Sequence, residues 1–158
     1  RFDCLKEYLK EHTLEELAEW FAAHHLKPWA YNTLLYFNQR DEEGRREIDA
    51  ETEFILNVSK KIGMKMLITV PSCVIKDKTV GEIRKEAVKQ LRHLSDMVGS
   101  DMRISLEFCG SPDCSINQFG TAYDIVKEVD RDNVGITLDT FHFHEMCSRL
   151  EDLQAADG

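Results

Sequence analysis

Two carboxylates stand in this sequence where a carboxylate is expensive. Glu107 lies inside the apolar run Ile104-Ser105-Leu106-Glu107-Phe108, and Asp139 closes the run Gly135-Ile136-Thr137-Leu138. A bare charge among apolar neighbours loses its hydration, so something must neutralise each of them. A divalent metal ion shared by the two carboxylates meets that need and would act as a Lewis acid on a carbonyl or hydroxyl. The competing reading of Glu107 is a structural salt bridge to a Lys or Arg from a neighbouring loop. Asp139 is followed by Thr140-Phe141-His142-Phe143-His144. His142 fits either a functional imidazole or one bonded to a backbone carbonyl. His144 is expected to be structural, because strand alternation does not continue past the strand end.

Other chemistries find less support. The five cysteines, Cys4, Cys73, Cys109, Cys114 and Cys147, are odd in number, irregular in spacing and without a CxxC. The expectation is therefore neither a disulfide framework nor a zinc ribbon, but a reducing, cytoplasmic setting. Cys109 and Cys114 near the histidines match no standard zinc spacing. Phosphate-binding loops of the GxGxxG or GxxxxGK[ST] type and a GxSxG nucleophile elbow are all missing. His24 and His25 end a helix and are read as favourable to its dipole, and the methionines as core filler. With 20 basic against 29 acidic residues the formal charge is −9, and no basic patch offsets it, so nucleic acid is not an expected partner. Neither a membrane helix of roughly 18 apolar residues nor a signal-peptide start is visible.

What positions the two acids is a repeating unit. Thr13 with Glu16 forms a capping box ahead of Leu14, Leu17, Ala18 and Phe21, and Trp29-Ala30-Tyr31 follows as a strand ending at Asn32. A second helix carries Ile48, Ile55, Val58 and Ile62 up to Gly63, before the strand from Lys65 to Val70 that Pro71 stops. A third has Val80, Ile83, Ala87, Leu91, Leu94 and Val98 at helical spacing before Gly99, then a strand from Met102 to Phe108. A fourth carries Phe119, Ala122, Ile125, Val126 and Val129, then a strand from Val134 to Leu138. Ser148 with Glu151 repeats the capping box and opens one more helix. Strand, helix and strand in this order make parallel βα units in one α/β domain over residues 1–158. Both an open doubly wound sheet and a (β/α)8 barrel accept the pattern, and both put chemistry at the carboxyl ends of the strands, here Asn32, Pro71-Ser72-Cys73, Glu107 and Asp139.

The segments Ile104 to Gly110, Cys114 to Asp124 and Arg131 to His144 resemble the xylose-isomerase-like TIM-barrel superfamily of sugar isomerases and epimerases. The likeness extends to His25-Leu26-Lys27-Pro28, Asn32, Phe37-Asn38, Arg40-Asp41 and Ser148 to Asp157, so it covers the whole chain. It implies a partial (β/α)8 TIM barrel of about the third to sixth strands with their helices, with Arg1 at the end of a second strand and both chain ends cut. One divalent metal ion (Mn, Mg, Co or Zn) is implied at the barrel mouth. Glu107 matches the family's first metal-binding Glu and Asp139 its Asp, while His142 matches a histidine that contacts substrate; a further His and Glu would follow Gly158.

The implied activity moves the carbonyl of a keto-cyclitol such as an inosose through an enediolate, in inositol catabolism. Glu107 would serve as acid or base, Asn32 and His142 would bond ring hydroxyls, and Trp29 and Phe37 would pack on the apolar face of the ring. The alternatives are a sugar epimerase using the same chemistry, and a catalytically incomplete half barrel that only folds, or assembles with another copy through open edges. The apurinic endonucleases of the superfamily are disfavoured by the acidic charge and by the lack of a histidine in Pro71-Ser72-Cys73.

Overall fold

Several helices begin where a short polar side chain can stand in for the missing carbonyl of a preceding turn. In the computed structural model, which describes residues 4–73 and 77–156, Thr13 accepts from Glu16 N at 3.1 Å and Glu16 reaches back to Thr13 N at 2.7 Å. Thr79 and Glu82 repeat this reciprocal pair, and Asp41 accepts from Gly44 N at 2.8 Å. Gly63, at φ +79°, closes the second of these helices in the left-handed conformation. The expected end residues Arg1 and Asp157 lie outside the described residues.

The elements run α1 (Cys4–Tyr8), α2 (Leu14–Ala23), β1 (Ala30–Leu35), α3 (Glu42–Ile62), β2 (Met66–Val70), α4 (Val80–Val98), β3 (Arg103–Glu107), α5 (Phe119–Val129), β4 (Val134–Thr137), α6 (Thr140–Glu145) and α7 (Leu150–Gln154). The four strands lie side by side in chain order and all are parallel. α3, α4 and α5 are the crossovers between successive strands, and their apolar stripes bury one face of the sheet. Ile55, Leu91, Leu94 and Ile125 meet Leu67, Ile104 and Leu106 there, all at 1% exposure or less. Strand alternation then sends Ser105 and Glu107 to the other face.

Several expectations need correcting. β1 does not end at Asn32 but continues to Leu35, with a cis Asn32-Thr33 peptide and a register shift between Asn32 and Leu34. The polar Asn32 side chain read as a strand end because one face of β1 is open, and an exposed Asn is tolerated on it. Ser148 does not cap its own helix: Arg149 takes the N-cap position of α7 without a side-chain bond. The Ser148 hydroxyl instead accepts from Phe119 N at 3.0 Å, at the start of α5, whose own N-cap Gln118 makes no such bond. The cysteines also depart from expectation, since Cys73 and Cys114 form a disulfide with their Cα atoms 4.0 Å apart. Folding brings together two residues that their spacing gave no reason to pair. Replacing Ser148 by Ala is expected to destabilise the fold by about 1 kcal/mol through the uncapped α5, as a helix cap does, read from the denaturant midpoint.

Candidate metal centre

β3 and β4 stay in register up to the pair Glu107 and Thr137, so Glu107 stands at the last rung of the ladder. On the same face, Ser105, two residues before Glu107, shares a hydrogen bond of 2.6 Å between its Oγ and the Oγ1 of Thr137. Two residues beyond Thr137, Asp139 turns the chain out of the sheet. Its Oδ1 accepts from Phe141 N at 2.7 Å and from His142 N at 3.3 Å, which caps α6. This short helix swings His142 back toward Glu107. Glu107, Asp139 and His142 each offer one donor atom, and the three atoms lie within 4.8 Å of one another.

Electrostatics leave this cluster wanting a cation. Burial pushes the Glu107 carboxyl above its ordinary pKa; His142 pulls it down and the neighbouring Asp139 pushes it further up. Burial, then Glu107 and Asp139, raise the Cys109 thiol to about 11, so Cys109 stays a neutral thiol at neutral pH. Among the described residues no Lys or Arg pairs with Glu107 or Asp139, so the structural salt bridge considered for Glu107 is not formed there. The Nδ1 atom of His142 is buried and has no hydrogen-bond partner among the described residues. Two carboxylates and an imidazole fit the donor preference of a divalent metal ion.

The other expected site residues fare differently. Trp29 precedes the amino end of β1, where its carbonyl accepts from Lys65 N, and is 71% exposed, at the far end of the sheet from Glu107. Phe37 is 1% exposed and belongs to the core under the helices, so its ring face is already taken. Asn32 pairs in register with Ile68, which pairs with Ser105, placing it on the open face two residues below the level of Glu107. His144 is exposed, and His24 donates through Nδ1 to Trp20 O at 2.8 Å at the end of α2.

Sequence reasoning gave no role to Asn38, which is fully buried three residues beyond the end of β1. Its Oδ1 accepts from Ser72 N at 2.7 Å, its Nδ2 donates to Ser115 Oγ at 3.1 Å, and its carbonyl accepts from the Ser72 hydroxyl. Ser115 N also donates to Ser72 O at 2.9 Å, and the Cys73–Cys114 disulfide lies alongside. The loop that follows Glu107 is thereby tied to the ends of β1 and β2. The only signal available was a polar residue ending the aromatic run Tyr36-Phe37-Asn38.

The raised Glu107 pKa has a consequence for stability. The folded chain holds the Glu107 proton more tightly than the unfolded chain, so this group's contribution is fully present below the ordinary carboxylate pKa and is lost as pH rises through the folded value. With a chelator present, Glu107→Gln is therefore expected to melt above the wild type at about pH 7, the gain vanishing near about pH 3, as read by thermal unfolding.

The family model described as xylose isomerase-like TIM barrel matches residues 2–157. An inosose isomerase of Bacillus velezensis is 46% identical over 157 residues, which are 99% of this chain and 56% of that protein. The inosose isomerase of Halalkalibacterium halodurans is 42% identical over 98% of this chain and 55% of its own length. A crystal structure of the IolI protein with a bound zinc atom superposes with a TM-score of 0.94 at 46% identity, covering 98% of this chain and 56% of that one. The chain thus spans little more than half the length of these relatives. With the site geometry, the parallel βα order and this match in agreement, the chain belongs to the xylose isomerase-like TIM barrel family.

Proposed function

We propose that this protein is part of a metal-dependent isomerase that moves the carbonyl of a keto-cyclitol of the inosose class to the adjacent carbon. The observation that carries the reading is the convergence of one donor atom each from Glu107, Asp139 and His142 at the carboxyl ends of β3 and β4. Glu107 and Asp139 would hold the ion, with His142 beside it on a substrate hydroxyl. The ion, when bound, withdraws electrons from the ketone oxygen and so acidifies the neighbouring carbon. The zinc in the IolI structure and the inosose isomerase relatives support this choice, and Mn, Mg or Co would suit the same donors.

The chemistry asked of the chain is a proton relay with no net oxidation. Glu107 takes the proton from the carbon that bears the hydroxyl; that bonding pair becomes the carbon–carbon double bond of an enediolate as the carbonyl π pair moves onto the ketone oxygen. The proton of the neighbouring hydroxyl passes to that oxygen, and the Glu107 carboxyl returns its proton to the former carbonyl carbon, which leaves the ketone one position along the ring. Asn32, on the same open face, is suited to a second substrate hydroxyl. Trp29 and Phe37 have no part in the proposal.

The four strands would be the third to sixth of a closed eight-stranded barrel, folding as one domain, with a further His and Glu on the ion from later strands. β1 and β4 each have one edge unpaired among the described residues, which supports closure by further strands or pairing with another copy. Among the described residues no helix is long and apolar enough to cross a membrane.

In the full-length enzyme, Glu107→Gln is expected to lower inosose interconversion and solvent-deuterium uptake into the inosose together, by roughly 10²- to 10⁴-fold. Unchanged turnover would remove Glu107 from the reaction. A ketohexose epimerised faster than any inosose is converted would move the assignment to the epimerases.

A further inference from the structure

We infer that Cys73 and Cys114 form a reversible thiol–disulfide exchange site, which reacts with small thiols and their disulfides and latches the loop after Glu107 when it closes. Among the described residues Cys4, Cys109 and Cys147 are free thiols, so a single pair is linked. A fold stapled by disulfides pairs most of its cysteines, and this one does not. The linked pair stands beyond the carboxyl ends of β2 and β3, where Cys73 and Cys114 face each other as an antiparallel bridge.

The sulfur bond is not what brings these segments together. Ser115 N donates to Ser72 O at 2.9 Å, while Asn38 accepts from Ser72 N at 2.7 Å and donates to Ser115 Oγ at 3.1 Å. Ile116, the next residue, is fully buried in the core. With the neighbours of both cysteines held in this way, the two sulfurs stay adjacent when the bond between them is open. Such a pair opens and closes without unfolding, because closure gathers no new segments. Cys109 N donates to Ile116 O at 3.2 Å, so the loop folds back on itself two residues past Glu107. A covalent tie at Cys114 therefore restrains the chain that leads out of Glu107.

The two sulfurs differ in access. Cys114 is 7% exposed and Cys73 only partly buried, so an incoming thiolate reaches Cys73. It bonds to Cys73 Sγ as the Cys73–Cys114 bond breaks, and Cys114 leaves as a thiolate that takes a proton from water. A second thiolate then bonds to the sulfur of the first, which frees Cys73 as a thiolate to be protonated in turn. Two small thiols are oxidised to one disulfide, and the protein disulfide is reduced to two thiols. Closure runs the same steps backwards, with the small disulfide as oxidant. Neither the ion nor the substrate of the proposed reaction takes part.

The test places the full-length protein in glutathione buffers of varied reduced-to-oxidised ratio, followed by acid quench, alkylation and peptide mass mapping. Cys73 and Cys114 are expected to pass together between linked and alkylated across the series, with the far-UV circular dichroism unchanged. Linkage that survives excess reduced glutathione, or never forms in excess oxidised glutathione, overturns the inference; so does loss of the native spectrum on reduction. With oxidised glutathione, Cys73 in Cys114→Ser is expected to be modified at least about tenfold faster than Cys114 in Cys73→Ser. Equal rates overturn attack at Cys73. Should either variant not fold, the alkylation rates of the two thiols in the reduced wild type measure the same difference and decide it in the same way. Hydrogen exchange at the Cys109 and Ser115 amides is expected to slow by at least about tenfold on closure, and equal exchange in the two forms overturns the latch.

Discussion

The cost of holding carboxylate charge at the ends of parallel strands governs this structure. Glu107 is half-buried above the apolar rows of β3, and Asp139 stands close enough to oppose its ionisation. Most carboxylates of this chain lie in water on helix surfaces, where pairs such as Arg84 with Asp124 and Glu128 contribute little. The pair at the strand ends is different because no cationic side chain of the described residues reaches it. A site that is uncomfortable when empty gains most from a cation.

The remaining elements can be understood as the means of sustaining that arrangement. The helices α3, α4 and α5 bury one face of the sheet, which leaves the carboxyl ends of the strands and the opposite face free for polar groups. Asp139 serves both the fold and the site, since the oxygen that caps α6 belongs to the carboxylate that faces Glu107. The loop after β3 is held on one side by the Asn38, Ser72 and Ser115 network with the Cys73–Cys114 disulfide, and on the other by its contact with α6. A loop fastened on both sides keeps Glu107 and His142 in one constellation.

Periodicity and caps made most of the architecture readable in advance. Val80 to Val98 repeats every three or four residues between Thr79 and Gly99, and the structure has α4 over that span. Glu107 and Asp139 were recognisable because charged residues interrupt apolar strands, a signal carried by nearest neighbours alone. Asn32 misled for the same kind of reason. A polar residue after Tyr31 suggests a strand end, yet β1 runs on, because the exposure of its outer face depends on what the sheet packs against. Trp29 and Phe37 were judged by residue type, which says nothing about which end of a strand a ring occupies or whether its face is already covered.

The sequence by itself determined the alternation of strands and helices, the two acids at strand ends and the family, because propensity, capping and apolar period are local properties. Only the tertiary structure decided that His142 turns back toward Glu107, that Ser148 caps a helix other than its own, and that Cys114 meets Cys73. Each of these is a contact between segments far apart in the chain or bent around a turn, and its distance is set by packing, which no single window of residues contains.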